Sequence, residues 1–289
     1  MKHKLLLRLL GVLALLAVAW ADRASAEMSV TNHPFPGIAY YAETRRQPPT
    51  RMFVAVIDLT NPKLRLQVSP GGPDPDGPGE WQTTLMRPTK IAAREGLDFV
   101  VNGDFFRARD IKDAEGANAA FRADNWSAVS GPAVTHGKIW ATSLDRKPSL
   151  VVHKNRKVTI ETLARPTPDD WEVVAGNTML VKDGAAIPHE NQTRHPRTAV
   201  GLDATGDKLF LLVVDGRKPG VAVGMSYDEL AAEMVRLGCR QAFNLDGGGS
   251  SVMAVRDPAT REFHILNEPT DGRERPVANA LGVSVERSR

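Results

Sequence analysis

The alternation of apolar and polar positions along this chain predicts many short strands and few helices. Met52 to Leu59 is a β-branched, apolar run, and Leu64-Arg65-Leu66-Gln67-Val68 alternates with period two. Asn61-Pro62 lies between them and predicts a hairpin turn. Leu97 to Val101 reads as a buried strand that runs into Asn102-Gly103-Asp104-Phe105-Phe106. Short strands are expected at Ile139 to Thr142, Leu150 to His153, Val158 to Thr162 and Trp171 to Ala175. Thr198 to Leu202 and Lys208 to Val214 form a pair around Asp203-Ala204-Thr205-Gly206. Gln241 to Leu245, Ser251 to Val255, Phe263 to Leu266 and Ala278 to Val285 complete the set.

Two stretches carry a helical pattern. A short helix is expected over Thr89 to Glu95, after Pro88. A second starts at Ser226, whose hydroxyl can cap it while Glu229 closes a capping box. Leu230, Met234 and Leu237 then fall on one face, and Gly238 can end the helix. Between these elements, residues 27–50 carry four prolines and are expected as a leader across the surface. Residues 70–80 form a Gly/Pro loop, and the polar stretch 107–130 suits a loop over a site. No internal repeat or composition shift divides residues 27–289, which are long enough for one large domain. The expected class is α+β: strand-rich mixed sheets with a few packed helices in a single catalytic-type domain.

The N-terminus changes the charge argument. Lys2, Lys4 and Arg8 precede the apolar stretch Leu9 to Ala21, and Ala24-Ser25-Ala26 supplies small residues for a cleavage site. The stretch is shorter than the roughly 20 residues that span a bilayer. Residues 1–26 therefore read as a signal peptide, cut between Ala26 and Glu27, with a periplasmic or secreted product and no stable membrane span. They hold four of the 37 bases and one of the 34 acids, so the net charge of +3 disappears with them. No nucleic-acid partner is expected.

Cysteine and histidine chemistry contributes little. The single cysteine, Cys239, excludes an intramolecular disulfide and reads as a small apolar residue near a helix end. His189 and His195 lack a recognised ligand spacing, and Asp74-Pro75-Asp76-Gly77 lacks the later ligands of a calcium loop. No metal site and no cofactor are expected, and the oligomeric state is left open.

The chemistry concentrates in a few polar clusters. Asn244-Leu245-Asp246-Gly247-Gly248-Gly249-Ser250-Ser251 brings an acid from a strand to a turn of three glycines and two serines. Such a turn lets backbone approach a ligand, and its N–H groups can form an anion nest; it can also be a plain tight turn. Asn102 and Asp104 stand at a strand end, where side chains meet ligands. Arg197, next to Thr198, and Arg217 in the Asp215-Gly216-Arg217 turn offer guanidinium groups for phosphate, or surface ion pairs. Asp271-Gly272-Arg273-Glu274-Arg275-Pro276 is a charged turn, either solvated or a wall of the same site.

In this order the motifs resemble the phosphodiester glycosidase family. The resemblance runs through Asn102-Gly103, Asn177 to Val181, His195 to Gly201, Asp215-Gly216-Arg217, Gly224-Met225-Ser226, Asn244 to Ser251 and Arg275 to Leu281. This chain has Asp104 where the family often has glycine, and Ala175-Gly176-Asn177-Thr178 where it often has glycines and proline. The resemblance implies an exported hydrolase that cuts the bond between a sugar and a phosphate. Asp246 is then the expected nucleophile or general base, with Asp104 and Asp215 as candidates for a second carboxylate. Arg197, Arg217 and Arg275, with Thr198 and the amides of Gly247, Gly248 and Gly249, are expected on the substrate, as are Asn102, Ser250 and Ser251. The alternatives are hydrolysis of another cell-envelope glycan or exopolysaccharide, a non-catalytic carbohydrate- or anion-binding module, and a metal-dependent phosphodiesterase using Asp104, Asp215 and Asp246.

Overall fold

The run from Met52 is apolar at successive positions because both faces of its strand are covered. In the computed structural model, which describes residues 27–286, strand Pro49–Asp58 lies inside a nine-stranded sheet. Met52 and Val54 face the core shared with helix Tyr227–Arg236, where Leu230, Ala231 and Met234 are fully buried. Phe53, Ala55 and Ile57 point the other way, into the main core. A strand buried on both faces loses the alternation that marks a half-exposed one.

A five-stranded sheet closes the main core from the far side with Val68, Phe99, Val101, Met253 and Leu281. Strand Phe99–Asn102 is near its middle, between Met253–Arg256 and Asn279–Val285. Helix Pro88–Glu95 covers its outer face through Ile91 and Ala92. A second five-stranded sheet contributes Leu150, Ile160 and Val174 to the main core, and a three-stranded sheet completes the fold. The strand-rich α+β class is as expected; all strand pairings among the described residues are antiparallel, where mixed sheets were expected.

The long hairpin Arg197–Leu202 with Lys208–Val214 pairs along its whole length. The capping box also forms: Ser226 Oγ accepts from the Glu229 N–H at 3.3 Å, and Glu229 Oε2 accepts from the Ser226 N–H at 2.9 Å. Cys239 is buried, and burial pushes its thiol up to about 12.

Three local expectations fail for physical reasons. Residues 27–50 are not a leader: Asn32–Phe35 and Ile38–Arg46 are strands, anchored by Phe35 and Ile38 in the main core. Pro36 and Pro48 stand in turns, and a turn needs no ladder N–H from them. Asn61-Pro62 does not join a hairpin, because Pro49–Asp58 and Leu64–Pro70 belong to different sheets. The Asn61 side chain redirects the chain, donating to Pro36 O at 3.0 Å and accepting from Lys63 N at 3.0 Å. The stretch 107–130 is irregular only in its middle; Phe106–Ala108 and Trp126–Val129 pair as strands. The expected signal peptide, residues 1–26, lies outside the described residues. No described helix is long and apolar enough to cross a membrane.

Candidate active site

The segment after strand Gln241–Asn244 leaves the nine-stranded sheet and enters Met253–Arg256 of the opposing sheet. Asp246 and the glycines lie on this crossing. Two main-chain hydrogen bonds pin it: Leu245 N to Thr198 O at 2.9 Å, and Asp246 N to Gly103 O at 3.0 Å. Asn102, wholly buried at the end of its strand, completes the brace. Its Nδ2 donates to Asp246 O at 2.7 Å, while its Oδ1 accepts from Thr198 Oγ1 at 2.8 Å and Val252 N at 3.2 Å. Asn102 and Thr198 were expected on the substrate. The structure instead buries both completely and spends their polar atoms on holding Asp246.

The glycines are explained mainly by what approaches them. Gly248 has φ +62°, and a Cβ there would come within 3.1 Å of Arg217 Nη2. A Cβ at Gly249 would collide with the Arg275 guanidinium. The expected nest of three N–H groups is reduced to one. Gly247 N donates to Asp246 Oδ1 at 2.8 Å and Gly248 N to Pro196 O at 2.9 Å. Only the Gly249 N–H has no hydrogen-bond partner among the described residues.

Asp246, the three glycines, Arg197, Arg217 and Arg275 line one cavity of about 220 Å³. Arg197 is nearly buried; it donates to Met225 O at 3.0 Å and Thr193 O at 3.1 Å and lies 4.1 Å above the Tyr227 ring. Burial, with Arg217 nearby, lowers its affinity for a proton. Arg217 is exposed, has φ +60° and has no ion pair among the described residues. A non-glycine residue held in that region stores strain, of order 1–3 kcal/mol. Arg275 is held by Asp271 at 2.9 Å and lies 4.5 Å over the Phe121 ring. Three guanidinium groups around one small cavity favour an anion.

The carboxylates differ in their surroundings. Asp246 is half-buried; burial pushes it up to about 6, against the Ser250 hydroxyl, the Gly247 N–H and Arg275. Asp104 is almost wholly buried behind the cavity, with Oδ2 accepting from Gly131 N at 2.7 Å. Its Oδ1 has no hydrogen-bond partner among the described residues. Burial raises it to about 7, and the charge of Asp246 adds to the rise. Asp215 stands apart. Its carboxylate is paired with Arg51 at 2.6 Å and accepts from Asn267 Nδ2 and Glu268 N. Ser250 and Ser251 are buried, Ser250 beside Asp246; the Ser251 hydroxyl has no hydrogen-bond partner among the described residues. No group of three or more His, Cys, Asp or Glu side chains gathers as a metal site among the described residues.

Two further residues line the cavity: Phe105, from the aromatic pair beside Asp104, and His195, which opens the His195 to Gly201 stretch. His195 precedes Arg197 by two positions, so a period-two count puts both on one face. Burial and the charges of Arg197 and Arg217 lower its pKa, which favours the neutral ring.

Known proteins share this architecture. The fold matches the catalytic domain of zebrafish N-acetylglucosamine-1-phosphodiester alpha-N-acetylglucosaminidase, auto-inhibited by its pro-peptide: TM-score 0.61, 16% identity, 91% of this chain and 89% of that one. A Burkholderia pseudomallei protein whose name describes it as exported matches with TM-score 0.60 and 16% identity, over 82% of this chain and 74% of that one. At such identities the likeness is one of fold. The Bacillus subtilis prophage-derived protein YomE is 38% identical over 91 residues, which make up 32% of this chain and 13% of that protein. The family model described as phosphodiester glycosidase matches residues 95–284, from before Asn102 to the last strand. This chain belongs to the phosphodiester glycosidase family.

Proposed function

We propose that the chain is an exported glycosidase that hydrolyses the C1–O bond of a sugar-1-phosphodiester. The observation that carries this is the shared cavity of Asp246 and three arginines. Breaking C1–O leaves positive charge on the sugar ring and negative charge on the departing phosphate. Asp246, ionised above about 6, faces the first charge as nucleophile or as general base to water. Arg197, Arg217 and Arg275, with the Gly249 N–H, face the second. A phosphodiester leaves readily, so stabilising its charge matters more than protonating it.

Asp104 is the second carboxylate of the proposal and acts without touching the sugar. Kept neutral up to about 7, it spares Asp246 and the phosphate a further negative charge. Asp215 supports the site through Arg51 and the chain at Glu268. Residues 1–26 direct export, and residues 27–289 form the catalytic domain. The test compares a sugar-1-phosphodiester with the matched chromogenic glycoside of the same sugar. Cleavage of the phosphodiester with much weaker cleavage of the glycoside is expected; no cleavage of any sugar-1-phosphodiester overturns the proposal.

A further inference from the structure

A larger groove of about 740 Å³ adjoins the catalytic cavity, and Arg275 is a wall of both. Its charges are unevenly spent. Glu274 is buried and accepts from Thr89 N at 3.1 Å and from the Thr89 hydroxyl. Asp271 holds Arg275, and Asp113 Oδ1 accepts from the N–H groups of Glu115 and Ala117 in its own loop. All three acids of the groove are therefore engaged within the protein. Arg87, Lys90, Arg122 and Arg273 also line it. They are exposed, and none has an ion pair or side-chain hydrogen bond among the described residues. The groove thus presents four unspent cations to solvent, while Glu274 is buried and the exposed Asp113 and Asp271 have partners within the protein. Phe121, 45% exposed, adds an aromatic surface on the same wall.

Direction follows from Arg275. On the proposed function, on which this inference rests, Arg275 binds the phosphate and not the sugar that accepts water. The groove therefore continues on the leaving side of the bond. We infer that the substrate is a chain of sugars joined through phosphodiesters, whose further phosphates lie along Arg87, Lys90, Arg122 and Arg273 while terminal units are released. A single phosphodiester held by Arg197, Arg217 and Arg275 leaves those cations unpaired.

The test measures binding and turnover separately. A hexamer of sugar-1-phosphate units and the methyl ester of one unit are titrated into the Asp246→Asn protein by calorimetry. The same pair is assayed for cleavage with the active chain. A triple variant, Arg87→Gln with Arg122→Gln and Arg273→Gln, is compared in both. The expected result is at least about tenfold tighter binding of the hexamer. That preference should shrink with added salt and vanish in the triple variant, with kcat on the single-unit ester unchanged. Equal affinity for hexamer and single unit, or a preference that survives the triple variant, overturns the inference. An oligouronate that competes as well as the hexamer also overturns it, since phosphate would then not be what the groove reads. If neither compound is cleaved but the hexamer preference follows the three arginines, the binding inference stands and the proposed activity fails.

Discussion

The side-chain amide of Asn102 donates to the main-chain carbonyl of Asp246 at 2.7 Å, across the junction of two sheets. A residue from one sheet thereby fixes the carboxylate carried out of the other. Asn102→Ala removes this bond and strands the Thr198 hydroxyl and the Val252 N–H in a buried place. The expected cost is about 1–3 kcal/mol of stability. Loss of kcat should exceed the rise in KM, because Asn102 is wholly buried and acts through Asp246. Thermal unfolding and steady-state kinetics on a sugar-1-phosphodiester check both.

Gly249 and Arg275 form a second testable pair. Gly249→Ala pushes its methyl into the guanidinium and displaces a charge from the cavity. The expected result is a fall in kcat/KM on the phosphodiester of about 100-fold, similar to losing one stabilising donor. Arg275→Ala should cause a similar loss. Gly249→Ala should add little in that background, since its obstacle is gone. A double-mutant cycle reads this directly.

Much of the fold was legible because helix and strand periods are local signals. The capping box at Ser226 and Glu229 and the hairpin of Arg197–Leu202 with Lys208–Val214 appear as the pattern predicts. The leader was misread because four prolines outweighed the apolar Phe35 and Ile38, whose burial depends on a sheet assembled from distant segments. Asn61-Pro62 looks like a hairpin turn in sequence; which sheet each flanking strand joins is a non-local outcome. At the site, composition pointed to Asp246, the glycines and the arginines. It could not tell a ligand contact from a brace, so the burial of Asn102 and Thr198 and their bonds around Asp246 were not legible in it. His195 stands in the His195 to Gly201 stretch of the resemblance, but its residue type alone assigned it no role on the substrate.

The two desolvated carboxyls set a pH profile. Asp246 is pushed up to about 6 and Asp104 to about 7. Below the first value Asp246 loses the charge its role requires. Above the second, Asp104 gains a charge that opposes both Asp246 and the anionic substrate. A bell-shaped kcat/KM with its maximum between the two is expected, and the limbs belong to the pair as a coupled system. Asp104→Asn should extend activity to higher pH, which a pH–rate profile of the two proteins will reveal.

Stability should fall with rising pH through Glu172, which is buried and raised to about 8 by desolvation. The unfolded chain releases this proton near 4.5, while the folded chain holds it until about 8. Between these values the folded state binds more protons, so acidification stabilises it. The melting temperature should therefore decline from about pH 5 to about pH 8. Glu172→Gln should flatten that slope, even if hydrogen bonding to Val68 N and His136 N is weakened.

The central claim is that one carboxylate, set against three guanidinium groups, does the chemistry. Asp246→Asn keeps the shape of the side chain and removes its charge. With circular dichroism and melting confirming a folded protein, hydrolysis of a sugar-1-phosphodiester should drop by about 100- to 10,000-fold. Binding of that substrate should persist through Arg197, Arg217 and Arg275. A folded Asp246→Asn protein that cleaves the phosphodiester at the unaltered rate would contradict the account.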